Sequence, residues 1–194
     1  QGAPGKVFAG PNRIRKCYAT TQSCTSWPMA KMYVDKIFNL ANRPAAVDML
    51  NSIRESFLDA MGHEEWMTPN DRKAAQSKLR QMFFQVAYPT DADGKMYWPS
   101  QTEFLDGLLG KDLFSNYMLS VRLSIQHTFK YIDYPPNRRS WGQTPLAINA
   151  YYSAKSNGLW IPAGILRAPF FDANHSDAQN FGSIGCILGH EISH

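Results

Sequence analysis

Five consecutive residues, His190-Glu191-Ile192-Ser193-His194, have types and spacing that define a chemistry. Two histidines four apart on a helix lie on one face about one turn apart, so both imidazoles can converge on one ion. Zinc suits such a pair, because it accepts neutral imidazole nitrogen and tolerates a tetrahedral site with one open position. Glu191 follows the first histidine and projects beside the metal without binding it. There its carboxylate can take the proton of a water attacking a carbonyl, which zinc eases by lowering the pKa of water toward ~7. The pattern predicts metal-assisted hydrolysis, with His190 and His194 as ligands of one zinc ion and Glu191 as the base. The alternative is a helix that carries two surface histidines. Phe181, Ile184, Ile187 and Leu188 precede the pair and predict a mostly buried helix. Burying two histidines and a glutamate without partners is costly, and a metal would be their partner.

The other candidates are weaker. His63-Glu64 begins the same pattern, but Met67 stands where the second histidine belongs. His63, His127 and His175 have no partner at ligand spacing and read as surface or structural residues. Three cysteines leave at least one without a partner inside the chain. Cys17 and Cys24 are close enough in sequence to bridge each other, or each reaches a partner elsewhere. Asn174-His175-Ser176 fits the acceptor triplet for N-glycosylation and suits a secreted protein or an ectodomain.

The elements that must position these residues follow from composition and period. Of 194 residues, 44% are hydrophobic and 19% charged, the balance of a globular chain that buries a core. The net charge of +4 is spread along the sequence rather than gathered on a stripe with aromatics, which argues against a nucleic-acid binder. No stretch is long and apolar enough to cross a bilayer, and no signal peptide is visible. The chain starts at Gln1 and stops inside its own signature, so it is expected to be a piece of a longer protein, with any anchor or leader upstream.

From Ala30 to Val86 the pattern is helical. Val47, Leu50, Ile53, Phe57, Leu58 and Met61 recur at three- and four-residue steps on one face. Thr68-Pro69-Asn70-Asp71 reads as a helix start, which Leu79, Met82, Phe83 and Val86 continue until Tyr88-Pro89. Residues 90–94 read as a turn. A further helix is expected from about Leu113 to Ile132, with Phe114, Tyr117, Val121 and Ile125 along a core-facing side, ended by Tyr134-Pro135-Pro136-Asn137. Leu146 to Tyr152 reads as a strand, Ser156-Asn157-Gly158 as a turn and Leu159-Trp160-Ile161 as a second strand, broken by Pro162-Ala163-Gly164. Ala178 to His194 reads as a helix. Its glycines at 182, 185 and 189 each disfavour helix by about 1 kcal/mol, which close packing against another backbone would offset.

Several segments in this order resemble the neprilysin and endothelin-converting-enzyme family of zinc endopeptidases, peptidase family M13. They are Asn149-Ala150-Tyr151-Tyr152, Pro162-Ala163-Gly164-Ile165-Leu166, Pro169-Phe170-Phe171, and Asn180-Phe181-Gly182-Ser183-Ile184-Gly185 leading into the signature. Pro135-Pro136-Asn137-Arg138, Trp141, Thr144-Pro145, Trp66-Met67 and Arg72-Lys73-Ala74-Ala75 fit as well, so the resemblance runs from about Cys17 to the end.

The resemblance implies a mainly α fold with a small β-sheet: a thermolysin-like zincin catalytic region preceded by a helical region, incomplete at both ends. Residues 1–90 would be the end of the helical N-terminal domain, 91–145 a connecting helical region, and 146–194 the start of the catalytic domain. It further implies that Asn149 and Ala150 lie on an edge strand that binds the substrate backbone, a form of strand addition. Ile165, Phe170 and Ile187 would line a pocket favouring cleavage on the amino side of bulky apolar residues; read alone, all three are core residues. Oligopeptides would be the substrates, outside the cell, in a secreted protein or the ectodomain of a type II membrane protein. The third zinc ligand, a glutamate, and the groups that stabilise the transition state would lie beyond this chain, so the chain alone would be inactive. A relative that keeps the fold without catalysis, acting as a binding protein, is the alternative. Ser183 replaces a glycine usual in the family, Ser193 stands where threonine is common, and Cys186 stands where an apolar residue is frequent. Cys186 reads as a small buried hydrophobe, though a thiol near zinc can be oxidised. Cys17 matches a family cysteine whose partner comes earlier in the protein, outside this chain, which leaves Cys24 unexplained.

Overall fold

The computed structural model describes residues 11–98, 112–135 and 137–194, and Pro136 of the expected helix stop lies outside them. The chain forms two compact units, one from residues 11–29 and 112–135, the other from 30–98 and 137–194.

Helix α1 (Pro11–Lys36), of which residues 11–29 belong to the first unit, kinks at Thr25, whose φ of −128° and ψ of 30° are not helical, three residues before Pro28. The proline ring cannot accommodate the carbonyl of the preceding turn and offers no N–H, so the ladder opens there. Cys17 and Cys24 lie on this helix as free thiols and do not bridge each other. Helix α4 (Leu113–Lys130) starts where the Asp112 carboxylate accepts the Ser115 N–H at 2.8 Å. The expected helix is present, but its apolar side is not core: no residue of α4 is buried, and Phe114 is 73% exposed. Periodicity identifies a face without supplying the surface that covers it.

The second unit holds helices α2 (Asn42–His63) and α3 (Pro69–Arg80), strands β1 (Phe83–Ala87), β2 (Tyr151–Ser153) and β3 (Gly158–Pro162), and a broken helix near its end. Leu50 and Leu58 of α2 are buried, and Val47, Ile53, Phe57 and Met61 pack beside them. Thr68 caps α3 by accepting the Asp71 N–H at 3.2 Å, with Pro69 in the first turn. That helix stops at Arg80. Phe83 and Val86, expected to prolong it, lie on β1 instead, paired in parallel with β3. A short, mostly apolar segment fits either period, and Phe83-Phe84-Gln85-Val86 takes the strand because β3 supplies its ladder partner.

The sheet order is β1-β3-β2, with β2 antiparallel to β3 and at an edge. Strand β3 is buried along its whole length. The hairpin turns through Asn157, at φ +49°, a conformation asparagine tolerates. The strand expected over 146–152 is shorter, because residues 146–150 are not in the ladder. They pack against the turn after β3: the Gly164 N–H donates to Pro145 O at 2.8 Å, and a Cβ on Gly164 would lie 2.6 Å from the Leu146 and Ala147 oxygens. Buried Asn42 donates to Leu166 O at 3.0 Å and accepts the Ala173 N–H at 3.0 Å, which ties the start of α2 to the same region.

The terminal helix is three pieces: α5 (Asp177–Asn180), a π-helical turn (Phe181–Gly185) and α6 (Cys186–Ser193). The expected reason for its glycines holds in part at one position, and there with a side chain instead of a backbone. A Cβ on Gly185 would approach Met49 Cε at 3.0 Å, whereas Gly182 and Gly189 have nothing within 4 Å of that point.

Two hydrogen-bond sets hold the segment leading to β2. Fully buried Gln85 donates to Thr90 O at 3.1 Å, and its Oε1 accepts from Thr90 N and Trp141 Nε1, each at 3.1 Å. Replacing it in the intact protein (Gln85→Leu) strands these groups and is expected to cost about 2–4 kcal/mol in denaturant unfolding; a change under about 0.5 kcal/mol would contradict that role. The Tyr151 hydroxyl accepts the Gly142 N–H at 3.1 Å and the Gln143 N–H at 3.4 Å, while its ring stacks on Trp160 at 5.3 Å. Burial raises the Tyr151 pKa, against the lowering effect of these two N–H groups. The folded state therefore holds the phenolic proton more tightly, so this contribution to stability is complete below pH ~10 and falls as pH rises through the folded value. Ultraviolet titration should show a late-ionising tyrosine that Tyr151→Phe removes; identical curves would refute the assignment.

Candidate functional site

The π-helical turn, helix α6 and its C-terminal cap His194 divide their residues between two faces. Ile184, Leu188 and Ile192, spaced by four, are buried in the core. His190 and His194 lie two positions further on, about 200° around the helix, and are exposed. The expectation that burial surrounds the histidines is therefore corrected: only the opposite stripe is buried, and burial cost does not argue for a metal. Cys186 shares the exposed side, so it is not the buried hydrophobe expected. The two imidazoles stand with centroids 4.8 Å apart and planes at 80°, within reach of a common ion.

Glu191 is half-buried and turns toward the sheet. Its Oε2 accepts the backbone N–H of Tyr152 on edge strand β2 at 2.8 Å. This charge-assisted bond fixes one carboxylate oxygen and leaves Oε1 unengaged by any described group. The Tyr152 ring lies nearly parallel to that of His194, centroids 6.2 Å apart, and its hydroxyl pairs with Asn157 Oδ1 at 3.2 Å. Asn157 Nδ2 donates to Lys78 O at 2.8 Å, and Lys78 Nζ sits 5.2 Å from the Tyr152 ring centre. Tyr152, Asn157 and Lys78 are the site's supporting residues that the sequence did not expose. Tyr152 stood within a recognised segment, but its backbone contact to a residue 39 positions later depends on sheet register, which leaves no local signal.

Asn149 is exposed and Ala150 buried, both immediately before β2 rather than within it as expected. Ile165 is buried in the core, and Phe170 and Ile187 pack partly exposed against the same cluster. Ser183 reaches the Phe170 carbonyl oxygen at 2.6 Å, so the residue in place of a glycine fastens the π-helical turn to the segment carrying Phe170. Among the other histidines, exposed His63 lies 3.6 Å from Asp59 and His127 packs on Tyr131 with centroids 4.8 Å apart. Among the described residues no group of three or more His, Cys, Asp or Glu side chains is placed to hold a metal ion. The chain thus presents two imidazole donors and a neighbouring carboxylate. Both donors are the neutral nitrogen type that zinc takes, and their solvent-facing position leaves room for further ligands, so the residues fit a partial zinc site.

Comparisons with known proteins identify the family and the fold. Sequence models of Peptidase family M13 match residues 2–89 and 149–194, together more than half of the chain. The endothelin-converting enzyme homolog of Locusta migratoria is 29% identical over 185 residues, 95% of this chain and 25% of the relative. Neprilysin-1 of Caenorhabditis elegans is 32% identical over 186 residues, 94% and 24% respectively. The chain spans about a quarter of the length of these curated relatives. A Mycobacterium tuberculosis zinc metalloprotease, solved with an inhibitor, superposes with a TM-score of 0.77 at 27% identity, over 94% of this chain and 26% of that one. PepO of Lactobacillus rhamnosis shares the fold, with a TM-score of 0.79 at 22% identity, over 94% of this chain and 28% of its own. With its mainly helical fold, small three-stranded sheet and paired histidines on α6, the chain belongs to peptidase family M13.

Proposed function

We propose that the protein containing this chain is a zinc endopeptidase that hydrolyses oligopeptides. The observation that carries the proposal is the Glu191–Tyr152 bond, which sets a carboxylate beside two exposed imidazoles at the edge of a sheet. His190 and His194 would hold zinc, with the third ligand, a glutamate, supplied from outside this chain. When bound, zinc supplies Lewis acidity, polarising the peptide carbonyl and acidifying water. Glu191 Oε1, the oxygen left free by Tyr152, takes the proton of the attacking water and delivers it to the nitrogen of the departing amine as the C–N bond breaks.

The substrate backbone lies along β2. Backbone groups of a strand alternate in direction, so in an extended run Ala150 faces the same side as Tyr152, which supports a role in holding the peptide; Asn149, whose main-chain groups face the other way, would act through its side-chain amide. The partly exposed Phe170 and Ile187 would form the apolar wall that selects a bulky residue on the amine side of the cleaved bond, whereas Ile165 lies buried in the core. The protein acts outside the cell, either secreted or as an ectodomain. No helix among the described residues is long and apolar enough to cross a membrane.

The test uses the intact protein, its zinc content and its cleavage of a quenched fluorescent peptide. Glu191→Gln is expected to retain zinc and lose about a hundred- to ten-thousand-fold in kcat. His190→Ala should lose the metal, and this chain expressed alone should not cleave. An intact, zinc-loaded protein that binds peptides without cutting them would instead establish a binding protein on a peptidase fold, and full activity in Glu191→Gln would remove Glu191 as the base.

A further inference from the structure

We infer that Asn174 carries an N-linked oligosaccharide, placed by the fold where it leaves the catalytic face open. The inference rests on the extracellular placement proposed above. The triplet Asn174-His175-Ser176 has the required hydroxyl at its third position and no proline at its second. It occupies the turn between Phe171, which is buried, and helix α5. Buried Asn42 accepts the Ala173 N–H at 3.0 Å, and buried Asn180 bonds both main-chain groups of Asp172, at 3.2 and 2.9 Å. The base of the turn is thus held from inside and Asn174 is left exposed at its tip. Its neighbours Ala173 and His175 line a cavity with Met49 and Phe181, whereas Asn174 does not.

The existing contacts tolerate the modification. Asn174 Nδ2 donates to Asp172 Oδ1 at 3.1 Å. Transfer from a lipid diphosphate-linked oligosaccharide forms a bond from Nδ2 to the anomeric carbon, breaks that carbon's bond to the diphosphate and releases one amide proton. The second N–H remains and can keep the bond to Asp172. Ser176 caps α5, accepting the Gln179 N–H at 3.4 Å, so one hydroxyl serves both the acceptor triplet and the helix start. From Ser176 to His190 the helix advances 14 residues, about 20 Å at 1.5 Å per residue, so the sugar stands at the end of the helix remote from the histidine pair.

The double use of Ser176 defines the experiment. The intact protein is secreted from eukaryotic cells behind a supplied leader and, in parallel, translated with microsomes, where glycosylation requires neither folding nor export. Enzymatic removal of the sugar in heavy-oxygen water then marks each occupied asparagine by mass. Most chains should be marked at Asn174. Ser176→Thr keeps both cap and triplet and should raise occupancy. Ser176→Asp keeps the cap but removes the acceptor hydroxyl and, like Asn174→Gln, should abolish the mark while leaving the zinc content and peptide cleavage of the secreted protein unchanged. An unmarked Asn174 in both systems, in wild type and Ser176→Thr alike, would overturn the inference. The native protein found only inside cells, with Asn174 marked in the microsomes, would instead overturn the extracellular reading.

Discussion

The hydrogen bond from the Tyr152 backbone N–H to Glu191 joins the two halves of the site, which neither element builds alone. Helix α6 brings the histidines and the glutamate, and edge strand β2 brings the surface on which a peptide can lie. The bond holds them together at 2.8 Å across 39 residues of sequence. It is an ionised acceptor meeting a main-chain donor, the stronger kind of hydrogen bond, and the donor's position is fixed by strand pairing. Everything beneath the site serves to keep those two atoms in register.

On the strand side, β3 is the buried centre of the sheet, and Tyr152 is aligned with Leu159 in its antiparallel ladder. Asn157 closes the hairpin and ties it to the end of α3 through Lys78. On the helix side, Ile184, Leu188 and Ile192 anchor one face in the core. The π-helical turn before α6 also matters, because one extra residue in a turn rotates the remainder of the helix by about 100°. Its presence sets which face of α6 meets the core and which carries the histidines.

The sequence revealed the residues more readily than their surroundings. The histidine spacing, the glutamate between them, the Thr68 cap and the order of family segments are local features, and local physics is enough to read them. The fate of Phe83 and Val86 was not local: their run became a strand because β3, some seventy residues later, was available as a partner. Residues 146–150 left the ladder because the turn at Gly164 packs against their carbonyl groups. The exposure of His190, His194 and Cys186 and the uncovered apolar side of α4 show the same limit, since a periodic pattern defines faces but not the surfaces that meet them.

Zinc-edge X-ray absorption of the intact protein tests the central claim most directly, because it reads the atoms around the metal without reference to activity. One zinc per chain is expected, with two imidazole nitrogens and remaining ligands of oxygen, lost when His190 or His194 is replaced. A sulfur ligand from Cys186, or a spectrum unchanged by replacing either histidine, would show that the exposed pair on α6 is not the metal site.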